Sequence, residues 1–134
     1  MTLQACYLSG VSIDEEAEQQ TVLVSERGGV RRFPIAIGQT EALAIDRAVK
    51  GQVFPRPLTH DLLLVTVDAL HGELNEIRIT DVRDGTFYAE LAITRIDGSR
   101  IEIDCRPSDA LALLVRRPHV ALLVAETVLA EACG

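Results

Sequence analysis

Two short segments of the chain place an arginine, a proline and a hydroxyl side chain directly ahead of an apolar run. They are Arg56-Pro57-Leu58-Thr59-His60-Asp61 and Arg106-Pro107-Ser108-Asp109. Proline pre-sets the backbone for a helix start, Thr59 or Ser108 can cap the first turn, and the free N–H groups of that turn favour an anion. Each segment could therefore hold a phosphate. The alternative is that both are ordinary capped helix starts with exposed arginines.

Hydrolysis of a phosphodiester is a chemistry that these segments could support. It needs charge compensation at the phosphoryl oxygens and a means of activating water. Arg56 and Arg106, together with the two hydroxyls, would bind the phosphate. His60 could act as a base or an acid near neutral pH, although a histidine in a first helical turn is more often a surface or interface residue.

Four carboxylates in or near these segments could hold a divalent metal, Mg2+ or Mn2+. They are Glu41, Asp61, Asp104 and Asp109. Asp104 and Asp109 are also expected to take part in catalysis with His60, and Asp104 falls at the end of a predicted strand, where a rigid support can display it. Acidic side chains in a first helical turn also stabilise the helix dipole, which is the structural explanation of the other three. A site requires that these groups converge in the folded chain.

Other chemistries find less support. Phe87 is expected in the core, and because only 4% of the residues are aromatic, Tyr88 does not predict a stacking platform for bases. A hydrolase built from Ser108, His60 and Asp61 lacks the Gly-x-Ser-x-Gly turn that exposes a nucleophile. Cys105 beside Arg106 is more typical of a buried structural thiol.

Composition restricts the class of protein. The chain has 134 residues, 48% of them hydrophobic, which predicts a single domain over residues 1–134. Its formal net charge of −7 opposes nonspecific adhesion to nucleic acid, so any such contact must be local. Twelve of the 13 basic residues are arginine, a bias that suits defined anion sites and that a genome rich in G and C would also produce.

The cysteines and the N-terminus indicate a cytoplasmic protein. Three widely spaced cysteines, Cys6, Cys105 and Cys133, offer neither zinc-ligand spacing nor a disulfide framework. The N-terminus lacks a basic leader followed by an apolar segment, and no apolar run reaches the roughly 18 residues that cross a membrane. We therefore expect a reducing compartment and no membrane contact.

Hydrophobic periodicity and turn residues predict an α+β domain with a mainly antiparallel sheet. Gly28-Gly29 indicates an N-terminal hairpin, and Asp84-Gly85 and Asp97-Gly98 indicate a three-stranded meander. Three to four helices are expected in the fold, and the three that start near Thr40, Thr59 and Ser108 are expected to pack on the apolar face of the meander. The predicted strands are 3–13, 21–25, 31–37, 73–82, 86–96, 100–105 and 120–124, and the predicted helices start near Thr40, Thr59, Ser108 and Glu126.

Five motifs in order resemble the bifunctional nuclease family, a group of small bacterial and plant domains. They are Gly38-Gln39-Thr40-Glu41-Ala42-Leu43-Ala44-Ile45, Arg56-Pro57-Leu58-Thr59-His60-Asp61-Leu62, Gly85-Thr86-Phe87-Tyr88-Ala89-Glu90-Leu91, Asp104-Cys105-Arg106-Pro107-Ser108-Asp109-Ala110-Leu111-Ala112 and Val124-Ala125-Glu126-Thr127-Val128-Leu129. The chain departs from the family after the third helix, where Arg116-Arg117-Pro118-His119 replaces the usual small, Gly-containing turn.

The resemblance implies an α+β domain, a tendency to self-associate, and nuclease activity on DNA and RNA. The leading hypothesis is a metal-assisted, sequence-nonspecific nuclease. The alternative is a non-catalytic oligomeric module in which Arg56 and Arg106 bind an anionic ligand or a carboxylate of a partner subunit. The acidic charge and the few aromatic residues favour the module, and the resemblance favours the nuclease. We also expect a homodimer or a larger homo-oligomer, because an exposed sheet edge is hard to cover in so small a domain.

Overall fold

One mixed sheet of seven strands and four helices make up the fold in the computed structural model, which describes all 134 residues. The strands are β1 Leu3–Ser12, β2 Gln19–Glu26, β3 Arg32–Gly38, β4 Glu73–Arg83, β5 Thr86–Thr94, β6 Arg100–Cys105 and β7 Ala121–Ala125. The helices are α1 Gln39–Val49, α2 Thr59–Ala69, α3 Pro107–Arg116 and α4 Glu126–Cys133.

The α+β prediction is confirmed, and the sheet joins the two predicted β units into one. The strand order is β3-β2-β1-β7-β4-β5-β6. All neighbouring pairs are antiparallel except β4 and β7, which run parallel with Ile77 opposite Leu122. Strand β7 therefore lies at the centre and bridges the N-terminal hairpin to the meander. Its short apolar sequence, with Leu122 and Val124 buried, suits that central position.

The hairpin turns follow from local sequence. Asp84 and Gly85 have φ of 49° and 79°, the left-handed pair that a tight two-residue hairpin requires. Gly51, with φ of 69°, follows the end of α1 and permits the left-handed turn that stops the helix. Both features agree with the sequence prediction.

One hydrophobic core lies between the helices and the covered face of the sheet. Helix α3 is central: it packs on β4 and β5 and contacts α1 and α2 on either side. The prediction that all three helices pack on the meander describes α2 and α3, whereas α1 packs mainly against α3 and strands β1 to β3. The sheet bends enough to stack Phe33 of β3 on Phe87 of β5, with ring centroids 5.3 Å apart.

The helix starts differ from the predicted caps. Leu58 and Arg106 occupy the cap positions of α2 and α3, and neither the Thr59 nor the Ser108 hydroxyl accepts a capping hydrogen bond. Because Thr59 and Pro107 already lie inside the first turn, the two hydroxyls fall one or two positions too late to cap it. The Asp61 carboxylate instead accepts a hydrogen bond from the Leu58 N–H at 3.2 Å. None of the four helices has the length and apolar character that crossing a membrane requires.

Candidate active site

The N-terminal turns of α1, α2 and α3 meet around an open cleft of about 520 Å³. The three helices are in mutual contact through α3, so their first turns are held on a common rigid support. The cleft is lined by Thr40, Glu41, Ala44, Arg47, Pro57, Leu58, Thr59, His60, Arg106, Asp109 and Arg116. Most of these lining residues have charged or polar side chains.

Four side chains in the cleft form a continuous chain of charged hydrogen bonds. His60 Nε2 lies 3.3 Å from Asp109 Oδ1. The Arg106 guanidinium donates to both oxygens of Asp109 at 3.1 Å and to Glu41 Oε1 at 3.1 Å. The imidazole is largely buried, whereas the Arg106 side chain is 64% exposed. The arginine therefore presents its guanidinium to solvent from the same cluster that anchors the histidine.

Asp109 is an anion in this cluster. Burial is the largest single influence and raises its pKa, but the hydrogen bonds from Arg106 and His60 together outweigh burial and hold the pKa below its ordinary value of 3.8. An ionised carboxylate can only accept hydrogen bonds, so His60 Nε2 must carry the proton that it shares with Oδ1. In the neutral ring the lone pair then resides on Nδ1.

Arg116 fixes the three helices relative to one another. Its guanidinium donates to Asp61 Oδ1 of α2 at 2.9 Å, to the Ala112 carbonyl of α3 at 2.8 Å and to the Ala44 carbonyl of α1 at 3.2 Å. Only 8% of the Arg116 side chain is exposed. This buried cation therefore sets the spacing between the turns that carry Glu41, His60 and Asp109.

The structure brings together five of the residues predicted for the site. Glu41, His60, Arg106 and Asp109 form the cluster, and Thr59 lines the same cleft. The other four predicted residues are not part of it. Arg56 is exposed in the loop between α1 and α2 and does not line the cleft, Asp61 turns to Arg116 and the Leu58 N–H, Ser108 is only 6% exposed, and Asp104 lies on β6.

The structure places Asp104 apart from the cleft. It pairs across the strands with Glu90 of β5, and its neighbour Cys105 packs against the core. Because successive side chains of a strand point to opposite faces, Asp104 points away from the helices that line the cleft. The prediction relied on its position near a strand end, but strand alternation decides which face the side chain occupies.

The carboxylates predicted to hold a metal do not come together as one group of ligands in this structure. Nowhere in the chain do three or more His, Cys, Asp or Glu side chains lie close enough together to hold a metal. Glu41 and Asp109 both bind the Arg106 guanidinium, and Asp61 binds Arg116. Arginine therefore supplies the positive charge among these carboxylates.

Sequence reasoning missed two arginines and one aromatic residue near the cleft. Arg116 was seen only as part of an unusual turn. Arg47 follows Glu41 by six residues and Ala44 by three, a helical spacing that places all three on one stripe of α1, and this signal could have identified it. Phe54, in the loop between α1 and α2, lies under Arg47 with the guanidinium carbon 5.8 Å from the ring centroid.

Comparison with known proteins shows one matching family and several relatives. The family model described as the bifunctional nuclease domain matches residues 22–133. Uncharacterised proteins from two Mycobacterium tuberculosis strains, CDC 1551 / Oshkosh and H37Rv, are each 42% identical over 123 residues, which cover 92% of this chain and 72% of those proteins. Bifunctional nuclease 2 of Oryza sativa subsp. japonica is 26% identical over 110 residues, covering 80% of this chain and 34% of the rice protein.

Proposed function

We propose that this chain, which belongs to the bifunctional nuclease domain family, hydrolyses phosphodiester bonds of DNA or RNA in the cleft between α1, α2 and α3. The observation that carries the proposal is the His60–Asp109 pair beside the exposed guanidinium of Arg106. The rice relatives named bifunctional nucleases support the same reaction. This chain corresponds to only about a third of their length, so their activity is not carried over directly.

The charge of the cleft supports a polyanionic substrate. Three arginines and two carboxylates line it, whereas the whole chain has a formal net charge of −7. A local positive surface can bind phosphate in an otherwise acidic protein because screening confines electrostatic attraction to about 8–10 Å. Arg47 and Arg106 contact the backbone phosphates in this proposal, and phosphate contacts carry little sequence information. The expected cleavage is therefore sequence-nonspecific.

In this proposal the members of the cluster have distinct roles. A substrate phosphate binds Arg106, taking the place of Glu41 and one Asp109 oxygen on the guanidinium. A water oxygen attacks phosphorus as its proton passes to His60 Nδ1, and Asp109 stabilises the imidazolium through Nε2. The bond from phosphorus to the leaving sugar oxygen breaks, and that oxygen takes a proton from solvent. Arg106 compensates the charge that develops on the phosphoryl oxygens.

A non-catalytic, oligomeric binding module is the second candidate, and one observation favours it. The outer side of α2 exposes Leu62, Val65 and Leu70 at 54%, 53% and 72%, which is unusual for a helix that faces water. A second copy of the chain could cover this surface, as the predicted homo-oligomer requires. The oligomeric state, the cytoplasmic location and the metal requirement expected from the sequence stay predictions.

Cleavage of a fluorescently labelled single-stranded oligonucleotide tests the proposed function. Asp109→Asn keeps one oxygen to accept a hydrogen bond but removes the charge that orients and stabilises the imidazolium. We expect it to cut at least about 100-fold more slowly than the unmodified protein, since positioned acid–base groups contribute factors of about 10² to 10⁴. Samples are assayed with Mg2+, with Mn2+ and with a chelator.

Asp81→Asn is the matched control for this assay. The hydrogen bond from Arg83 lowers the pKa of Asp81, so Asp81 is also an arginine-paired anion, but it lies on β4 outside the cleft. Its cleavage rate should equal that of the unmodified protein. Equal residual cleavage in all three identically purified samples would indicate a contaminating nuclease and would leave the binding module as the better account.

A further inference from the structure

A second cavity, of about 300 Å³, opens beside the active-site cleft and shares its wall. Arg47, Leu58 and Arg116 line both cavities. Gln52, Val53 and Phe54, from the loop that joins α1 to α2, line only the second cavity. The two cavities are therefore neighbouring parts of one groove, and Arg47 stands at the boundary between them.

Phe54 gives this second cavity an aromatic surface. The side chain is 39% exposed, although it is large and apolar, and the guanidinium carbon of Arg47 lies over the ring at 5.8 Å from its centroid. Flat apolar surface next to a guanidinium is the combination on which nucleobases stack in proteins that bind single-stranded nucleic acid. Arg47 can meet a base on one side and a phosphate in the neighbouring cleft on the other.

We propose that the second cavity, where Phe54 and Arg47 meet, binds one nucleobase of a single-stranded nucleic acid whose adjoining phosphate lies at Arg106. This inference rests on the proposed function and adds a substrate class to it. A paired base inside a duplex has both faces covered by its neighbours, so only an unpaired base can offer its face to Phe54. Because every base has a π-face, stacking here selects for strandedness and tolerates any sequence.

The exposed Phe54 ring favours a nucleotide over simpler anions as the ligand of this site. Inorganic phosphate or a protein carboxylate would bind Arg106 and Arg47 by charge alone and would gain nothing from Phe54. The remaining exposed aromatic residues do not offer the same surface at the cleft. Tyr88, which is 38% exposed, lies with Arg83 on the β4–β5 hairpin and lines neither cavity.

The absence of tryptophan from the chain permits a direct test. In Phe54→Trp the introduced indole is the only tryptophan fluorophore of the protein, and binding of a short single-stranded oligothymidylate should quench its emission. An abasic oligonucleotide of the same length and charge should leave the emission unchanged. The titration is done in chelator, and gels of the recovered oligonucleotide verify that it is intact.

Binding affinities measured by fluorescence anisotropy of a labelled oligonucleotide complete the test. Phe54→Ala should bind the normal oligonucleotide about 5- to 150-fold more weakly, the range seen when one stacking aromatic is removed, and should bind the abasic one as the unmodified protein does. Phe54→Leu, which keeps an apolar side chain without a π-face, should behave like Phe54→Ala. Tyr88→Ala is the matched control, since it removes another arginine-stacked aromatic of equal exposure, and should bind like the unmodified protein.

The outcomes separate the base site from the nuclease activity. Equal affinity of the unmodified protein for normal and abasic oligonucleotides would overturn the base site, and that comparison needs no variant. Base-dependent binding without any cleavage would leave the base site standing and reject the hydrolysis. Cleavage that is equally efficient on normal and abasic strands would support the nuclease and reject the base site.

Discussion

Replacing Arg116 with methionine should lower the free energy of unfolding by about 2 to 4 kcal/mol. Methionine keeps much of the apolar stem of arginine but removes every donor. The buried guanidinium donates three hydrogen bonds, to the Asp61 carboxylate and to the carbonyls of Ala112 and Ala44. Their loss separates the turns of α1, α2 and α3 that carry the cluster.

The magnitude follows from those three hydrogen bonds. Each bond to a carbonyl contributes about 0.5 to 1.5 kcal/mol net, and a bond to a carboxylate contributes more. Asp61 is 40% exposed and regains water when Arg116 is lost, so its bond is discounted to about 1 kcal/mol. For a chain of 134 residues, an unfolding entropy of about 2.1 cal/mol/K per residue converts the total into a fall in Tm of about 7 to 14 °C.

The assay is urea unfolding followed by circular dichroism, with Arg117→Met as the matched control. Arg117 pairs with Asp68 at 2.7 Å, but these side chains are 34% and 53% exposed, so the control should lose no more than about 1 kcal/mol. Arg116→Lys should fall between the two, because an ammonium cannot reach three acceptors in the plane of a guanidinium. Equal losses of unfolding free energy in Arg116→Met and Arg117→Met would refute the conclusion that Arg116 holds the three helices together.

Three further predictions concern charge and thiol chemistry. The pKa of Asp109 is lowered from 3.8, so its stabilising contribution is present above that value and is lost as the pH falls through the lower folded-state pKa. The difference in unfolding free energy between the unmodified protein and Asp109→Asn should therefore shrink as the pH falls below 3.8, and a difference that grows in acid would contradict this. Burial raises the pKa of Cys6 to about 11 and that of Cys105 to about 12. A disulfide reagent at about pH 8 should therefore label only Cys133 rapidly in the folded protein, and it should label all three thiols in urea. Arg106→Lys should raise the KM for an oligonucleotide about tenfold through the lost bidentate contact, and an unchanged KM would show that Arg106 does not bind the phosphate.

Local sequence largely predicts the strands and helices of this fold, but it does not predict the order in which the strands pair. Alternation of apolar residues and the Asp84-Gly85 turn predicted the meander to within a few residues, because these signals act between near neighbours. Placing β7 between β1 and β4 depends on contacts far apart in sequence, such as Ile77 with Leu122. No local signal specifies that pairing.

The same distinction between local sequence and long-range packing applies to the candidate site. Glu41, His60, Arg106 and Asp109 could be identified because each lies at or beside a helix start with side chains that suit phosphate chemistry. Which of the carboxylates face one another depends on packing, and Asp104 lies apart from the others because strand alternation turns it to the other face of the sheet. Phe54 and Arg47 meet across a loop, and the aromatic content of only 4% gave no indication of an aromatic surface beside the cleft.

The central claim is that the His60–Asp109–Arg106 cluster hydrolyses phosphodiesters. A comparison of Asp109 with Asp104, which the sequence motifs had grouped in one site, tests it most directly. The measurement is the single-turnover cleavage rate of a single-stranded oligonucleotide by Asp109→Asn and by Asp104→Asn, purified identically. The geometry predicts a loss of at least about 100-fold for Asp109→Asn and a rate near that of the unmodified protein for Asp104→Asn. Comparable losses in both variants, or full activity in Asp109→Asn, would contradict it.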